Sequence, residues 1–296
     1  MSDHTREGGD ERPLAGRVAV VTGASRNAGR GIAVELGAAG ATVYVTGRSA
    51  GDHVATDLGT GTVDETARLV DEAGGEGVAV RCDHTDDGQV AALFERVAAE
   101  RGGLDLLVNN VWGGYEGYDE EPFDAPFWEQ PMDRYDRMFD AGVRAHFTAS
   151  AHAAPLLGAG ALVVNTTAWD RDRYLGAVPY DVAKHAVTRM VYGMALDLRE
   201  RGVTVLALAP GWMRTEYLRE QYGVDDATAH EHPDLARTES TRYVGRAVVA
   251  LATDPDVAEK SGEVLQTGAL AGEYDFVDVD GRRVPPFTLP SDDRLD

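Results

Sequence analysis

The sequence predicts an α/β protein: a single Rossmann-like doubly wound domain whose seven-stranded parallel sheet carries helices on both faces. Three observations predict it. Short β-branched runs alternate with helical patterns along most of the chain. Strands joined through helices pair in parallel, because a parallel connection needs a crossover. Turn-forming Gly, Asn and Asp residues follow the strand runs, on the side of such a sheet where ligands bind.

The elements follow in order. "RVAVVTG" (17–23) is a β-branched run stopped by Gly, and "RGIAVELGAAG" (30–40) is a Gly-stopped helix. "ATVYVTG" (41–47) is the second strand, and "VDETARLVDEAGG" the helix after it. "GVAVRCD" and "LDLLVNN" read as strands three and four, with "DDGQVAALFERVAAERGG" as the helix between them. "GALVVNTT" (160–167), "VTVLALAPG" (203–211) and "GEVLQTG" (262–268) are three further strands, each preceded by a helical segment. Residues 1–13 and 286–296 read as mobile tails around a domain spanning 14–285.

Composition narrows the function classes. A net charge of −22 argues against a nucleic-acid partner, which calls for clustered Lys and Arg. It also implies self-repulsion in dilute buffer, as in proteins adapted to a salt-rich cytoplasm. The one cysteine, Cys82, excludes an internal disulfide framework and suits a reducing compartment. The charged start "MSDHTREGGDERP" has no apolar stretch of a secretory signal, and no run is long enough to span a membrane, so the expectation is a cytoplasmic protein.

Lysine is nearly absent: of 28 basic residues only Lys184 and Lys260 are lysine. Pro179 suits the start of a helix, so Tyr180 and Lys184 lie at i and i+4 on one face. An ammonium beside a phenol stabilises phenolate and draws its pKa from about 10 toward neutrality. Lysine's rotatable donors could also hold a ribose hydroxyl, which a planar guanidinium matches less well.

Upstream, "TGASRNAGRGIA" (22–33) puts glycines where a strand turns into a helix, which lets backbone approach a pyrophosphate. Gly23 and Gly29 are six apart, which is not the G-x-G-x-x-G spacing, and a plain Gly-rich connection is the bland alternative. At the end of the second strand Arg48 stands where an acid would accept from a ribose 2′-hydroxyl. Arg48, with Arg26 as a second clamp, favours the 2′-phosphate of NADP over NAD.

Taken together, the T-G-x-x-x-G-x-G-like turn and Y-x-x-x-K resemble the short-chain dehydrogenase/reductase family over roughly residues 15–270. The resemblance implies cofactor contacts from Gly23, Ser25, Arg26, Asn27, Ala28 and Gly29, with Asn27 where the family has its middle glycine. Asn tolerates the left-handed backbone such a turn needs. It further implies that Asp83 and His84 touch the adenine. Asn109, Asn110 and Val111 match the segment after strand four, and Pro210, Gly211, Met213 and Thr215 flank the nicotinamide and pyrophosphate. Tyr180 becomes the proton donor or acceptor, Lys184 its tuner and a ribose holder, and Thr167 the hydroxyl that orients a substrate carbonyl. Thr166 is the fallback for that last role.

Gly142 stands where the family usually has an asparagine linking the lysine to water. His146, four residues on in the helix, or a water beside Gly142, could restore that relay. One branch of the family carries a similar G-x-R-x-H pattern and a "DVDGR"-like tail, matching residues 278–282 here. The aromatic stretch 112–135 and the segment 215–235 would roof a pocket for a small-molecule carbonyl or alcohol. His230 and His232 in that roof read as solvated, so no metal is expected. The resemblance also implies a homodimer or homotetramer. Two rivals stay open: a non-catalytic dinucleotide-binding scaffold, and reduction of a carbon–carbon double bond. For the latter, Tyr174, ten before Lys184, does not fit the tyrosine spacing well.

Overall fold

The computed structural model describes residues 12–55, 61–115, 123, 125–169 and 173–289. The expected N-terminal tail, apart from Arg12 and Pro13, residues 116–122 and 124 of the roof, and residues 290–296 of the expected C-terminal tail lie outside the described residues.

In chain order the elements are β1 (Val18–Val21), α1 (Asn27–Ala38), β2 (Thr42–Gly47), α2 (Val63–Ala73), β3 (Glu76–Arg81), α3 (Asp87–Arg101), β4 (Leu104–Asn109), α4 (Met132–Phe139), α5 (Ala145–Ala153) and β5 (Leu157–Thr166). Then come α6 (Val178–Leu198), β6 (Thr204–Ala209), β7 (Met213–Arg214), α7 (Glu216–Tyr222), β8 (Glu239–Ser240), α8 (Thr241–Thr253), β9 (Val264–Gln266) and α9 (Thr267–Glu273). The main sheet has seven strands in the order β3-β2-β1-β4-β5-β6-β9, all parallel, and β7 and β8 form a separate two-stranded ribbon.

The strands are apolar almost throughout because helices cover both faces, as parallel pairing requires. Alternate residues serve two cores. Val21, Val43, Val45 and Val108 pack under α1 and α8, while Val20, Tyr44, Leu107 and Val163 pack under α3 and α6. Close helix packing rests on glycine at Gly31, where a Cβ would come 2.0 Å from Thr241 O of α8. Leu14 is buried and donates its amide to Ala39 O at 2.8 Å, which ties the segment before β1 to the end of α1.

Two elements differ from the sequence expectation. The helix expected to carry Gly142 and His146 is interrupted by a π turn at Asp140–Arg144, a local widening that the 3.6-residue pattern does not announce. The last strand is three residues long, because Thr267 and Gly268 begin α9 instead of continuing it.

Candidate active site

The carboxyl ends of the central strands open into a cleft of about 740 Å³. At its β1 end the chain turns through Gly23 at φ +64 and Asn27 at φ +49 into α1, both left-handed, as the turn demands. Arg26 precedes α1 without a side-chain capping bond, so first-turn amides stay available beside the cleft that Ser25, Arg26, Asn27 and Ala28 line. The turn is held from β4: Asn110 Nδ2 donates to Thr22 O and Gly23 O at 3.3 and 3.2 Å, and its amide donates to Thr22 Oγ1 at 2.9 Å. Gly29 sits beneath; a Cβ there would lie 2.3 Å from Gly23 O. Asn27 Oδ1 accepts from the Glu216 amide at 3.1 Å, so the residue in the glycine position also binds α7. This cradle of backbone and small residues fits the phosphates of a dinucleotide.

Arg48 and Arg26 both line the cleft, with Gly47 and Ser49 beside Arg48 and no acid among these three β2-end residues. Asp83 lines it too and accepts from Thr85 N and Oγ1 at 3.0 and 2.7 Å. The His84 ring is buried, with Nε2 2.8 Å from Thr46 Oγ1, and burial pushes its pKa down to about 4, so it is neutral. Asn109 and Gly29 do not line the cleft. Asn109 is a core residue whose Nδ2 donates to Ser150 Oγ at 2.9 Å and Asn165 Oδ1 at 3.0 Å, tying β4 to α5 and β5. Val111, Pro210, Gly211, Met213 and Thr215 all line it.

At the opposite wall α6 presents Tyr180 and Lys184 on one face, with Thr166 and Thr167 at the end of β5. Thr167 Oγ1 donates to Lys184 O at 3.2 Å, and Thr166 Oγ1 to Asn109 O at 3.3 Å. The ionisation pattern departs from the sequence expectation. Burial raises the Tyr180 pKa above 10, opposed only by a hydrogen bond with the Tyr115 hydroxyl. The Lys184 Nζ sits over the Trp112 ring, 3.4 Å from the ring centroid. Burial pushes Lys184 itself down to about 7.

Gly142 lies in the π turn against that same indole: a Cβ would come 2.4 Å from Trp112 Cζ3. His146 is buried with Nε2 3.0 Å from Val111 O, and burial, with the Lys184 charge nearby, pushes its pKa down to about 3. The expected relay through His146 is therefore recast as a neutral ring bonded to β4's continuation.

The substrate side is aromatic. Trp112 and Phe123 meet the Tyr180 ring edge-on, with centroids 5.4 and 5.3 Å away, and Tyr115 lies 6.4 Å from it. Trp169, Leu175, Trp212, Leu218 and Phe287 complete the wall. Phe287 was expected in a tail; Gln266 Nε2 donates to its carbonyl at 2.9 Å, which fixes the segment against β9. The "DVDGR" segment anchors this return. Asp278 and Asp280 pair with the fully buried Arg214 at 3.1 and 3.2 Å, and the Ser240 amide donates to Asp278 at 2.7 Å. The closely spaced Asp278 and Asp280 were the available signal. His230 Nδ1 lies 3.9 Å from Asp280, and His232 caps the 233–235 turn; among the described residues no cluster of acids, His or Cys is arranged for a metal. No helix among the described residues is long and apolar enough to cross a membrane.

Known proteins resemble the chain over most of its length. A family model described as enoyl-(acyl carrier protein) reductase matches residues 23–265. The chain is 38% identical over 284 residues to Dehydrogenase/reductase SDR family member 1 of Mus musculus, covering 93% of this chain and 87% of that protein. It is 28% identical to the 7alpha-hydroxysteroid dehydrogenase of Escherichia coli K12, covering 86% of this chain and 94% of that one. Among solved structures, a short chain dehydrogenase from Burkholderia cenocepacia J2315 in complex with NADP superposes with a TM-score of 0.67 at 29% identity, covering 86% of this chain and 97% of that one. One from Mycobacterium thermoresistibile gives 0.77 at 25% identity, covering 94% and 95%.

Proposed function

The chain belongs to the short-chain dehydrogenase/reductase family of oxidoreductases, and from that premise we propose that it interconverts a carbonyl and an alcohol with NADP(H). The observation that carries this reading is one cleft lined by Tyr180, Lys184 and Thr167 together with Gly23, Ser25, Asn27 and Ala28 of the α1 turn, Arg26 and Arg48. The residues of the α1 turn with Arg26 and Arg48 would hold a nicotinamide dinucleotide, which would supply or accept the hydride. Tyr180 exchanges the accompanying proton with the substrate oxygen. Its raised pKa keeps it protonated at neutral pH, the form that a carbonyl reduction consumes. Thr167 trades its bond to Lys184 O for the substrate oxygen, and Lys184 offers its N–H donors to ribose hydroxyls.

Arg48 and Arg26 supply guanidinium groups suited to a 2′-phosphate. The Burkholderia neighbour's complex with NADP supports the same choice. The family model's description names carbon–carbon double-bond reduction, but i, i+4 spacing of Tyr180 and Lys184 favours a carbonyl. Trp169, Trp212 and Phe287 favour a bulky apolar carbonyl. The scaffold alternative rests on Gly142 and Thr167; packing against Trp112 gives Gly142 a structural reason as well.

We further propose one folded domain, in a homo-oligomer that covers exposed Val182, Tyr192 and Leu196 of α6, working in a salt-rich cytoplasm. Titration with NADPH and NADH in molar KCl, followed by nicotinamide fluorescence, tests the cofactor reading. Tighter NADPH binding supports Arg48 as the clamp; NADH preference removes that assignment; binding of neither removes the cofactor reading altogether.

A further inference from the structure

Lys184 carries its charge with almost no polar company. It is 8% exposed, and burial is the only influence that moves its pKa. What the ammonium meets is the Trp112 indole at 3.4 Å from the centroid, with the Tyr180 ring centroid farther away at 5.4 Å. The indole also packs against Gly142, where a Cβ would lie 2.4 and 2.5 Å from Cζ3 and Cε3, too close for any other residue unless the ring shifts. The Tyr180 ring closes the edge of the indole at an interplanar angle of 84°.

We propose that Trp112 is a positioning residue that holds the Lys184 ammonium in the cleft through its π face, and that Gly142 is the residue that admits the indole. A carboxylate could also stabilise a buried cation, but it would consume ammonium donors and cancel the positive field beside Tyr180. An aromatic face stabilises the charge and takes neither. The ammonium keeps its N–H groups for hydroxyls that enter the cleft. The titratable groups around it are Tyr180 on its own helix, Tyr115 bonded to Tyr180, and His146 on α5; Arg137 and Asp140 line the same cleft. The catalytic consequence rests on the proposed function; the placement of the ammonium does not.

The chain's lysine content makes the test direct. Protein labelled with ¹³C at lysine Cε gives signals from Lys184 and Lys260 alone, and Lys260→Arg assigns them. Lys260 pairs with Glu273 at 2.8 Å and serves as the reference. The expected result is a Lys184 methylene shifted upfield by the indole ring current, relative to Lys260. Trp112→Leu abolishes that shift and lowers the Lys184 titration midpoint by about one pH unit, the size of a desolvated cation–π contact. Trp112→Phe, which keeps a ring face, restores part of both. Gly142→Ala, which displaces the ring without removing it, moves the signal as Trp112→Leu does. A Lys184 signal at the ordinary lysine position, indifferent to Trp112→Phe and Gly142→Ala, overturns the proposal. So does a Trp112→Leu protein that is folded and slower but has an unchanged Lys184 midpoint. The expected spectral changes in a protein that turns over no carbonyl support the clamp and remove the proposed function.

Discussion

Asn27 Oδ1 accepts a hydrogen bond from the Glu216 amide at 3.1 Å, joining the α1 turn to the first residue of α7 across 189 positions of sequence. Arg30 Nη1 reinforces the same junction by pairing with Glu216 at 3.2 Å. The turn that would hold phosphates is thereby fastened to the segment that borders the substrate side through Leu218.

Asn27→Gly keeps the left-handed backbone and removes the bond, about 1 kcal/mol of local support. Amide hydrogen exchange in residues 216–222 should accelerate while exchange in β4 and β5 stays unchanged. Asn27→Asp, which keeps an acceptor oxygen, should retain most of the protection.

Arg48→Ala should weaken NADPH binding by about ten- to a hundredfold, the range of a lost charge-assisted hydrogen bond to phosphate, and leave NADH nearly unaffected. Fluorescence titration of both cofactors reads the difference. Equal weakening of the two would assign Arg48 to the structure of the turn.

Glu239 predicts a pH dependence. Its carboxyl is 1% exposed behind Gly211, and burial pushes its pKa up to about 8. Between the unfolded value near 4.3 and about 8 the folded state binds more protons than the unfolded state, so stability falls as pH rises through that window. Lys184 works oppositely: its folded value of about 7 lies below the unfolded value near 10.4, so its contribution rises with pH between them. Glu239→Gln should match the wild type near pH 4 and melt several degrees higher by pH 8. Thermal melts across that range measure it.

The net charge of −22 predicts a melting temperature that climbs with KCl from dilute buffer toward molar concentrations, as screening relieves repulsion. A flat profile would remove the salt-rich cytoplasm from the account.

Much of this is legible in the sequence itself. Val18–Val21 and Thr42–Gly47 announce themselves because strands buried on both faces must be apolar and β-branched throughout. Tyr180 and Lys184 are legible because helical spacing alone puts them on one face. Contacts between distant residues were not. Nothing near Gly142 in sequence indicates an indole, and the π turn that brings them together breaks the helical period. Phe287 reaches the cleft on a return held by Arg214, which pairs with Asp278 and Asp280, and by Gln266, which donates to the Phe287 carbonyl. The lowered Tyr180 pKa expected from i, i+4 proximity is not found, since burial governs the phenol and raises it.

The most direct test of the central claim is NADPH oxidation over a panel of bulky ring ketones by the wild type and Tyr180→Phe, with bound cofactor measured in both. The account predicts turnover by the wild type and a loss of about 10²–10⁴-fold in the variant at unchanged cofactor binding, since the ring is kept and only the proton donor is gone. Equal turnover by the two proteins would contradict it.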